Sequence, residues 1–286
     1  MSGDALPSLP PRKPESHKGD YGRALLIGGS QGMAGAIALS GMAALRSGAG
    51  LVKLATANSC QATVASFEPS AMTIGLAADE QGRISEAALP TIIEAAKEAT
   101  VVACGPGLGR SDGLTQVVAW LYQNISQPLV LDADALTLVA GDESILAKAA
   151  GPRILTPHPG EFARLLGRQS FPPSEREKLA REFARQKKLV LVLKGHHTVI
   201  SDGTRTAINH TGNPGMATGG TGDVLTGVIT AIVGQGLPPY DAARLGVHVH
   251  GLAGDLAAAE LGQVSLIASD LVTHLPRAWK SLAGGQ

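Results

Sequence analysis

The sequence predicts an α/β fold: a mostly parallel central sheet with helices on both faces and an antiparallel edge near the C-terminus. Three observations predict it. From Arg23 onward, a short apolar run, a Gly-rich turn and a longer Ala/Leu-rich segment with helical spacing follow one another repeatedly, the alternation that builds a parallel sheet with right-handed crossovers. Glycine and polar residues gather just after the apolar runs, at the carboxyl ends of the strands, where such sheets bind ligands. Near residue 198 the rhythm changes, and two short runs flank Ser201-Asp202-Gly203 in the manner of a hairpin.

Residues 1–18 hold Pro7, Pro10, Pro11 and Pro14 among polar neighbours, which predicts an extended arm over the surface. Residues 19–286 are expected to form one domain. Residues 24–27 read as its first strand and 33–46 as the following helix. Further strands are expected at 51–55, 71–74, 101–103, 129–131, 153–155 and 189–193, apolar runs suited to burial on both faces. Residues 198–200 and 205–207 form the hairpin. The last helices are expected near 222–233, 241–260 and 269–281. The Ala/Gly-rich face of residues 242–259 suits either the core or a partner chain.

With 44% hydrophobic and 17% charged residues over 286 positions, the chain has the composition of a soluble globular protein. Its formal net charge is zero, so no basic field gathers nucleic acid or anionic lipid, and neither nucleic acid nor membrane is an expected partner. Cys60 and Cys104 form no CxxC pair and sit in apolar surroundings, pointing to buried thiols in a reducing compartment. No apolar run reaches membrane-spanning length, and prolines occupy the place of a signal peptide's apolar region. The cytoplasm is the expected location.

The segment Gly212-Asn-Pro-Gly-Met-Ala-Thr-Gly-Gly-Thr-Gly-Asp223 runs straight into an apolar helix. Gly219, Gly220 and Gly222 are expected to free the backbone so that the amides of residues 219–222, Thr221 included, cradle a phosphate at the positive end of the helix. A carboxylate inside an anion site suggests that Asp223 takes a proton from a hydroxyl that attacks the phosphate; the plainer reading is an acidic residue favoured at a helix start. Gly105-Pro-Gly-Leu-Gly109 is either a tight turn or a wall of the same cleft. Of Asp132 and Asp134, one faces the cleft while the other caps the next helix. Pro157 and Pro159 hold His158 at a fixed angle, which suits a contact to a ring or phosphate. Glu161 orients a magnesium ion through water or serves as a capping carboxylate. Lys194-Gly195-His196-His197-Thr198 suits nucleotide phosphates or adenosine, or forms a surface hairpin. The pairs His196/His197 and His248/His250 lack a zinc-site spacing, and neither a GxSxG elbow nor a GxxxxGK[ST] loop is present.

The ordered set 17–23, 28–36, 44–50, 105–109, 132–136, 156–161 and 212–223 resembles the ADP/ATP-dependent NAD(P)H-hydrate dehydratases of the ribokinase-like superfamily, over nearly the whole chain from about residue 6. The resemblance implies a Mg²⁺-dependent enzyme that uses ADP or ATP to dehydrate hydrated NADH or NADPH, with ADP favoured. It places Ala36, Gly107 or Gly109, His158 and Asp223 at the hydrated dinucleotide, and Lys194 to Thr198 with Gly222 at the adenine nucleotide. It further implies a homotetramer and a functional link to a separate NAD(P)H-hydrate epimerase, whose domain is missing from this sequence. The rival readings are a small-molecule kinase of the same fold, such as a hydroxyethylthiazole-type kinase, and a nucleotide-sensing module without catalysis.

Overall fold

A computed structural model describes residues 5–283. Residues 1–4, the start of the expected arm, and 284–286, the end of the expected domain, lie outside the described residues. Nine strands among them form one sheet: β1 (Arg23–Ile27), β2 (Leu51–Ala57), β3 (Met72–Leu76), β4 (Val101–Cys104), β5 (Leu129–Leu131), β6 (Arg153–Leu155), β7 (Val190–Leu193), β8 (Val199–Ser201) and β9 (Thr206–Ile208). Their spatial order is β3-β2-β1-β4-β5-β6-β7-β8-β9, parallel through β7 and antiparallel for β8 and β9. The expected mostly parallel sheet with an antiparallel edge is therefore what forms. Strands β4 to β7 are buried along their length, which is why β4, β5 and β7 read as unbroken apolar runs instead of alternating ones, while β6 opens on Arg153, whose guanidinium donates to the Tyr122, Ile125 and Gln127 carbonyls.

Ten α-helices connect or cover the strands: α1 (Ala34–Arg46), α2 (Gln61–Phe67), α3 (Leu89–Glu98), α4 (Asp112–Asn124), α5 (Ala133–Ala140), α6 (Pro159–Leu165), α7 (Arg176–Lys187), α8 (Thr221–Gly234), α9 (Pro239–Leu261) and α10 (Ala268–Ala283). From β1 the chain steps outward one way to β2 and β3, and from β4 it steps the other way. Right-handed crossovers then put α1 on one face and α4 to α6 on the other. Helices α8, α9 and α10 join α1 on its face. The reversal between β1 and β4 opens a crevice at the carboxyl ends of those strands, the place where ligands bind in open α/β sheets.

Most boundaries move by one or two residues from the sequence reading, and two of the shifts have a plain physical reason. Helix α9 begins at Pro239, two residues before the expected start, because proline is well accommodated at a helix's first position. The hairpin shifts by one residue, because Asp202 Oδ1 accepts the amides of Thr204 and Arg205 and draws both into the turn. The Ala/Gly-rich face of α9 belongs to the core: Ala242, Ala243, Ala253 and Ala257 are fully buried within the chain. Residues 5–17 carry no helix or strand; Arg12 stacks 3.8 Å from the Tyr21 ring centroid and donates to the Gly48 carbonyl. No helix among the described residues is long and apolar enough to cross a membrane.

The contact that positions the site lies between α1 and α8. A Cβ at Gly227 would run into the Ser40 carbonyl and lie 2.9 Å from Ala43 Cβ, so the two helices meet backbone to backbone. One turn away, Ser40 Oγ donates to the Asp223 carbonyl at 2.8 Å. Gly227→Ala should therefore force the helices apart and cost about 1–3 kcal/mol. Urea unfolding checks this, and an unchanged midpoint would show that the approach is not tight.

Candidate active site

Two cavities open side by side at the carboxyl ends of the strands. The smaller, about 390 Å³, is lined by Asp132 after β5, His158 and Glu161 at the start of α6, and Gly220 to Asp223 at the start of α8. The larger, about 630 Å³, lies between the β7–β8 loop, the loop before α8, and α9, and its lining includes His196, Thr198 and His250. Lys194, Gly195, Thr221 and Gly222 line both, so a molecule in either cavity meets them.

Helix α8 starts from Gly220, whose φ of +93° is the left-handed conformation that side chains resist. Three glycines were expected to share this role, but Gly219 and Gly222 do not use positive φ. Gly222 is instead needed for space: a Cβ there would sit 3.2 Å from Lys194 Nζ. Gly219 lines neither cavity. The Thr221 hydroxyl donates to the Met216 and Thr218 carbonyls, and His250 Nε2 donates to the Thr221 carbonyl at 2.8 Å. These bonds hold the helix start while its first amides remain without intrahelical partners, as in any α-helix.

Charge is concentrated around Lys194. Its Nζ lies 2.6 Å from Asp132 Oδ1, and Thr226 Oγ1 donates to the other Asp132 oxygen at 2.8 Å. Burial works against the ammonium form, but Asp132 and Glu161, with Asp223, hold Lys194 above the usual lysine range. Burial, reinforced by Asp132, Asp134 and Glu161, pushes the Asp223 carboxyl up to about 7 against the pull of Lys194. Such a carboxyl is poised to exchange a proton near neutral pH. Burial also raises Glu161.

The α6 start serves two purposes. Glu161 Oε2 accepts the His158 amide at 2.8 Å, while His158 Nδ1 accepts the amides of Gly160 and Glu161. The capping reading of Glu161 thus holds, and the same carboxylate lines the smaller cavity. With Nδ1 accepting, the proton of neutral His158 sits on Nε2, 3.4 Å from Glu161 Oε1. Burial and the nearby Lys194 and Arg164 charges keep His158 below its ordinary pKa. Asp132 stands just before α5 and Asp134 in its first turn, and neither is seen to cap the helix. Asp134 accepts the Gly109 amide at 3.0 Å and Arg110 Nε at 2.9 Å, fixing the glycine turn. Ala133 between them has φ of +51°, a strained conformation of the kind that collects at functional sites.

The remaining candidates divide. Gly107 packs on the start of α1, where a Cβ would lie 3.0 Å from Ala36 Cβ, so these two come together. Ala36, Gly107 and Gly109 all lie outside the lining of the smaller cavity. Lys194, Gly195, His196 and Thr198 line the larger cavity as part of the β7–β8 loop, so the hairpin and binding readings are compatible. His197 is different: it has φ of +55°, directs Nδ1 to His210 Nδ1 at 2.9 Å, and does not line the cavity. Thr226 escaped the sequence reading, and His250 entered it only as half of a pair without zinc-site spacing. Thr226 looked like one more residue of an apolar helix, and nothing in its spacing points to Asp132, 94 positions away. No group of three or more His, Cys, Asp or Glu side chains that can hold a metal occurs among the described residues.

The Asp223 environment has a consequence for stability. A folded pKa near 7, above the ordinary carboxyl value of 3.8, means that the folded chain keeps a proton the unfolded chain loses. Stability from this group is therefore present at low pH and lost as pH rises from about 4 to about 7, with a slope of at most about 1.4 kcal/mol per pH unit. Asp223→Asn escapes that loss. The variant should gain on the wild type between about pH 5 and about pH 8 in urea unfolding; an equal difference at both pH values would contradict the buried, crowded carboxylate.

Comparison with known proteins agrees with this geometry. The NAD(P)H-hydrate dehydratase family matches residues 24–277. The chain is 46% identical over 96% of its length to the bifunctional NAD(P)H-hydrate repair enzyme of Moorella thermoacetica, but spans only 52% of that relative. It is 38% identical to the ADP-dependent (S)-NAD(P)H-hydrate dehydratase of Bacillus subtilis, covering 96% of this chain and 94% of that one. A crystal structure of the ADP/ATP-dependent NAD(P)H-hydrate dehydratase from Bacillus subtilis, co-crystallised with ATP and Mg²⁺, superposes with a TM-score of 0.81 at 35% identity over 96% of this chain and 94% of that one. The fold is the ribokinase-like one expected from the sequence. With the family match running almost end to end and the relative of similar length 38% identical, this chain belongs to the NAD(P)H-hydrate dehydratase family.

Proposed function

We propose that this protein dehydrates the S-form of hydrated NADH and NADPH at the expense of ADP, or ATP, releasing phosphate and AMP, or ADP. The observation that carries the reading is Asp223, a partly buried carboxyl pushed up to about 7 at the start of a glycine-led helix, beside a lysine that lines two adjoining cavities. The larger cavity takes the adenine nucleotide against Lys194 to Thr198 and Gly222. The hydrated nicotinamide enters from the side of Ala36, Gly107 or Gly109, and His158. The contacts of Ala36 with Gly107 and of Asp134 with Gly109 make that turn a firm wall.

Hydroxide is a poor leaving group, the conjugate base of water with a pKa of about 15.7. A phosphate ester leaves far more readily, because the departing phosphate spreads its charge over several oxygens that amides and cations can hold. Asp223 accepts the proton of the ring hydroxyl while that oxygen attacks the terminal phosphorus and the bond to the nucleotide's bridging oxygen breaks. The amides at the start of α8 and the Lys194 ammonium hold the transferred group's negative charge. The ring nitrogen then expels phosphate as the carbon–oxygen bond breaks, and loss of a ring proton restores the reduced dinucleotide. Neutral His158 donates from Nε2 to a polar group of the ring without adding charge.

Magnesium fits the donor set. Asp132 and Glu161 present hard oxygens in a site richer in carboxylates than in cations, and an ion shared with phosphates and water needs only one or two protein carboxylates. When bound it offsets charge on the phosphates. Glu161 would hold it through water. ADP preference follows the name of the Bacillus subtilis relative. A cytoplasmic homotetramer, working with a separately supplied NAD(P)H-hydrate epimerase, completes the proposed setting.

Near-ultraviolet absorbance should return when the protein and Mg²⁺ meet hydrated NADPH with ADP, and more slowly with ATP. Asp223→Asn should bind ADP nearly as the wild type does but lose turnover by about 100-fold or more. A stable phosphate ester with no absorbance would instead identify a small-molecule kinase, and near-normal turnover of the variant would remove Asp223 from the mechanism.

A further inference from the structure

The outer wall of the larger cavity is the segment 209–217, which has one turn of 3₁₀ helix at Pro214–Met216 and no other regular structure. A wall of this kind has little stability of its own. It is held to one face of α9 at successive turns. The Thr211 hydroxyl donates to the His248 carbonyl at 2.9 Å. Gly251 and Gly254 leave room for the segment, since a Cβ at either would collide with Thr211 or Met216. Asp255 then takes both of its oxygens to the loop: Oδ2 accepts the Gly212 amide at 2.8 Å, and Oδ1 accepts Asn213 Nδ2 at 2.9 Å. The same Asn213 side chain accepts the Gly215 amide at 3.0 Å. One carboxylate thereby fixes the residues that open the glycine-rich segment leading to α8. Asp255 itself does not line the cavity, whereas Gly212 and Asn213 do.

We propose that Asp255 is a positioning residue for the adenine nucleotide: it sets the 212–216 wall in its binding shape before the nucleotide arrives. The inference rests on reading the larger cavity as the nucleotide site. Ordering this wall in advance removes an entropy cost from nucleotide binding. The Asp255 side chain touches neither Asp223 nor the smaller cavity, so the expected effect falls first on the nucleotide.

The test compares wild type, Asp255→Ala and Asp255→Asn. ADP affinity is measured by calorimetry, kcat and both KM values by steady-state kinetics, and exchange of the 209–217 amides by hydrogen–deuterium exchange without ligand. Asp255→Ala should weaken ADP binding by about tenfold or more, the effect of losing a hydrogen bond to a charged group. Its kcat at saturating ADP and its KM for hydrated NADPH should stay within about threefold of wild type, with exchange accelerated in 209–217. Asp255→Asn keeps one acceptor for the Gly212 amide and should fall between; it carries the test if the alanine variant does not fold. Unchanged ADP affinity, or parallel losses for both ligands and kcat, would overturn the positioning role, as would unaltered exchange. If wild type binds neither ADP nor ATP, the nucleotide reading of the cavity fails and the proposal falls with it. Exchange in the variants would still report separately on the clamp.

Discussion

Three carboxylates, Asp132, Glu161 and Asp223, converge on one ammonium group, Lys194. This arrangement constrains the whole carboxyl edge of the sheet. A largely enclosed lysine needs a partner, and Asp132 supplies it at 2.6 Å. Asp132 in turn needs its second oxygen satisfied, and Thr226 from α8 does so. The ion pair therefore links the end of β5, the end of β7 and the first turns of α8. The excess negative charge also accounts for Asp223, which cannot ionise easily beside two other acids.

The second constraint is steric. Helix α8 delivers Asp223 and the first-turn amides proposed to hold phosphate, and α1 delivers Ala36, yet the two helices are far apart along the chain. Their backbone contact at Gly227 and the bond from Ser40 to the Asp223 carbonyl bring them together. The sheet reversal between β1 and β4 places the Gly107 turn against the same end of α1. The geometry of this edge thus depends on long-range packing as much as on the glycine-rich loop itself.

Much of this was legible in the sequence because burial leaves local traces. Strands covered on both faces must be apolar, so 101–104 and 129–131 announced themselves, and the residues after them had to carry whatever chemistry the edge performs. The glycine run before Asp223 was equally plain, although only Gly220 uses positive φ and Gly222 is there to make room for Lys194. What stayed hidden are pairings between distant positions. Nothing about Asp132 says that its partners are 62 and 94 residues away. Asp134 looked like a cap and is instead the anchor of the Gly109 turn. His197 was grouped with its neighbours by adjacency, but its backbone conformation turns it towards His210 and away from the cavity.

Whether the ring hydroxyl is phosphorylated before it leaves is written in the fate of its oxygen. NADPH hydrated in oxygen-18 water carries the label on the ring hydroxyl, and mass spectrometry of the products after one turnover with ADP and Mg²⁺ shows where it goes. The account predicts oxygen-18 in the released inorganic phosphate. Label recovered in water, with unlabelled phosphate, would mean that the hydroxyl departs on its own and that nucleotide hydrolysis is a separate event.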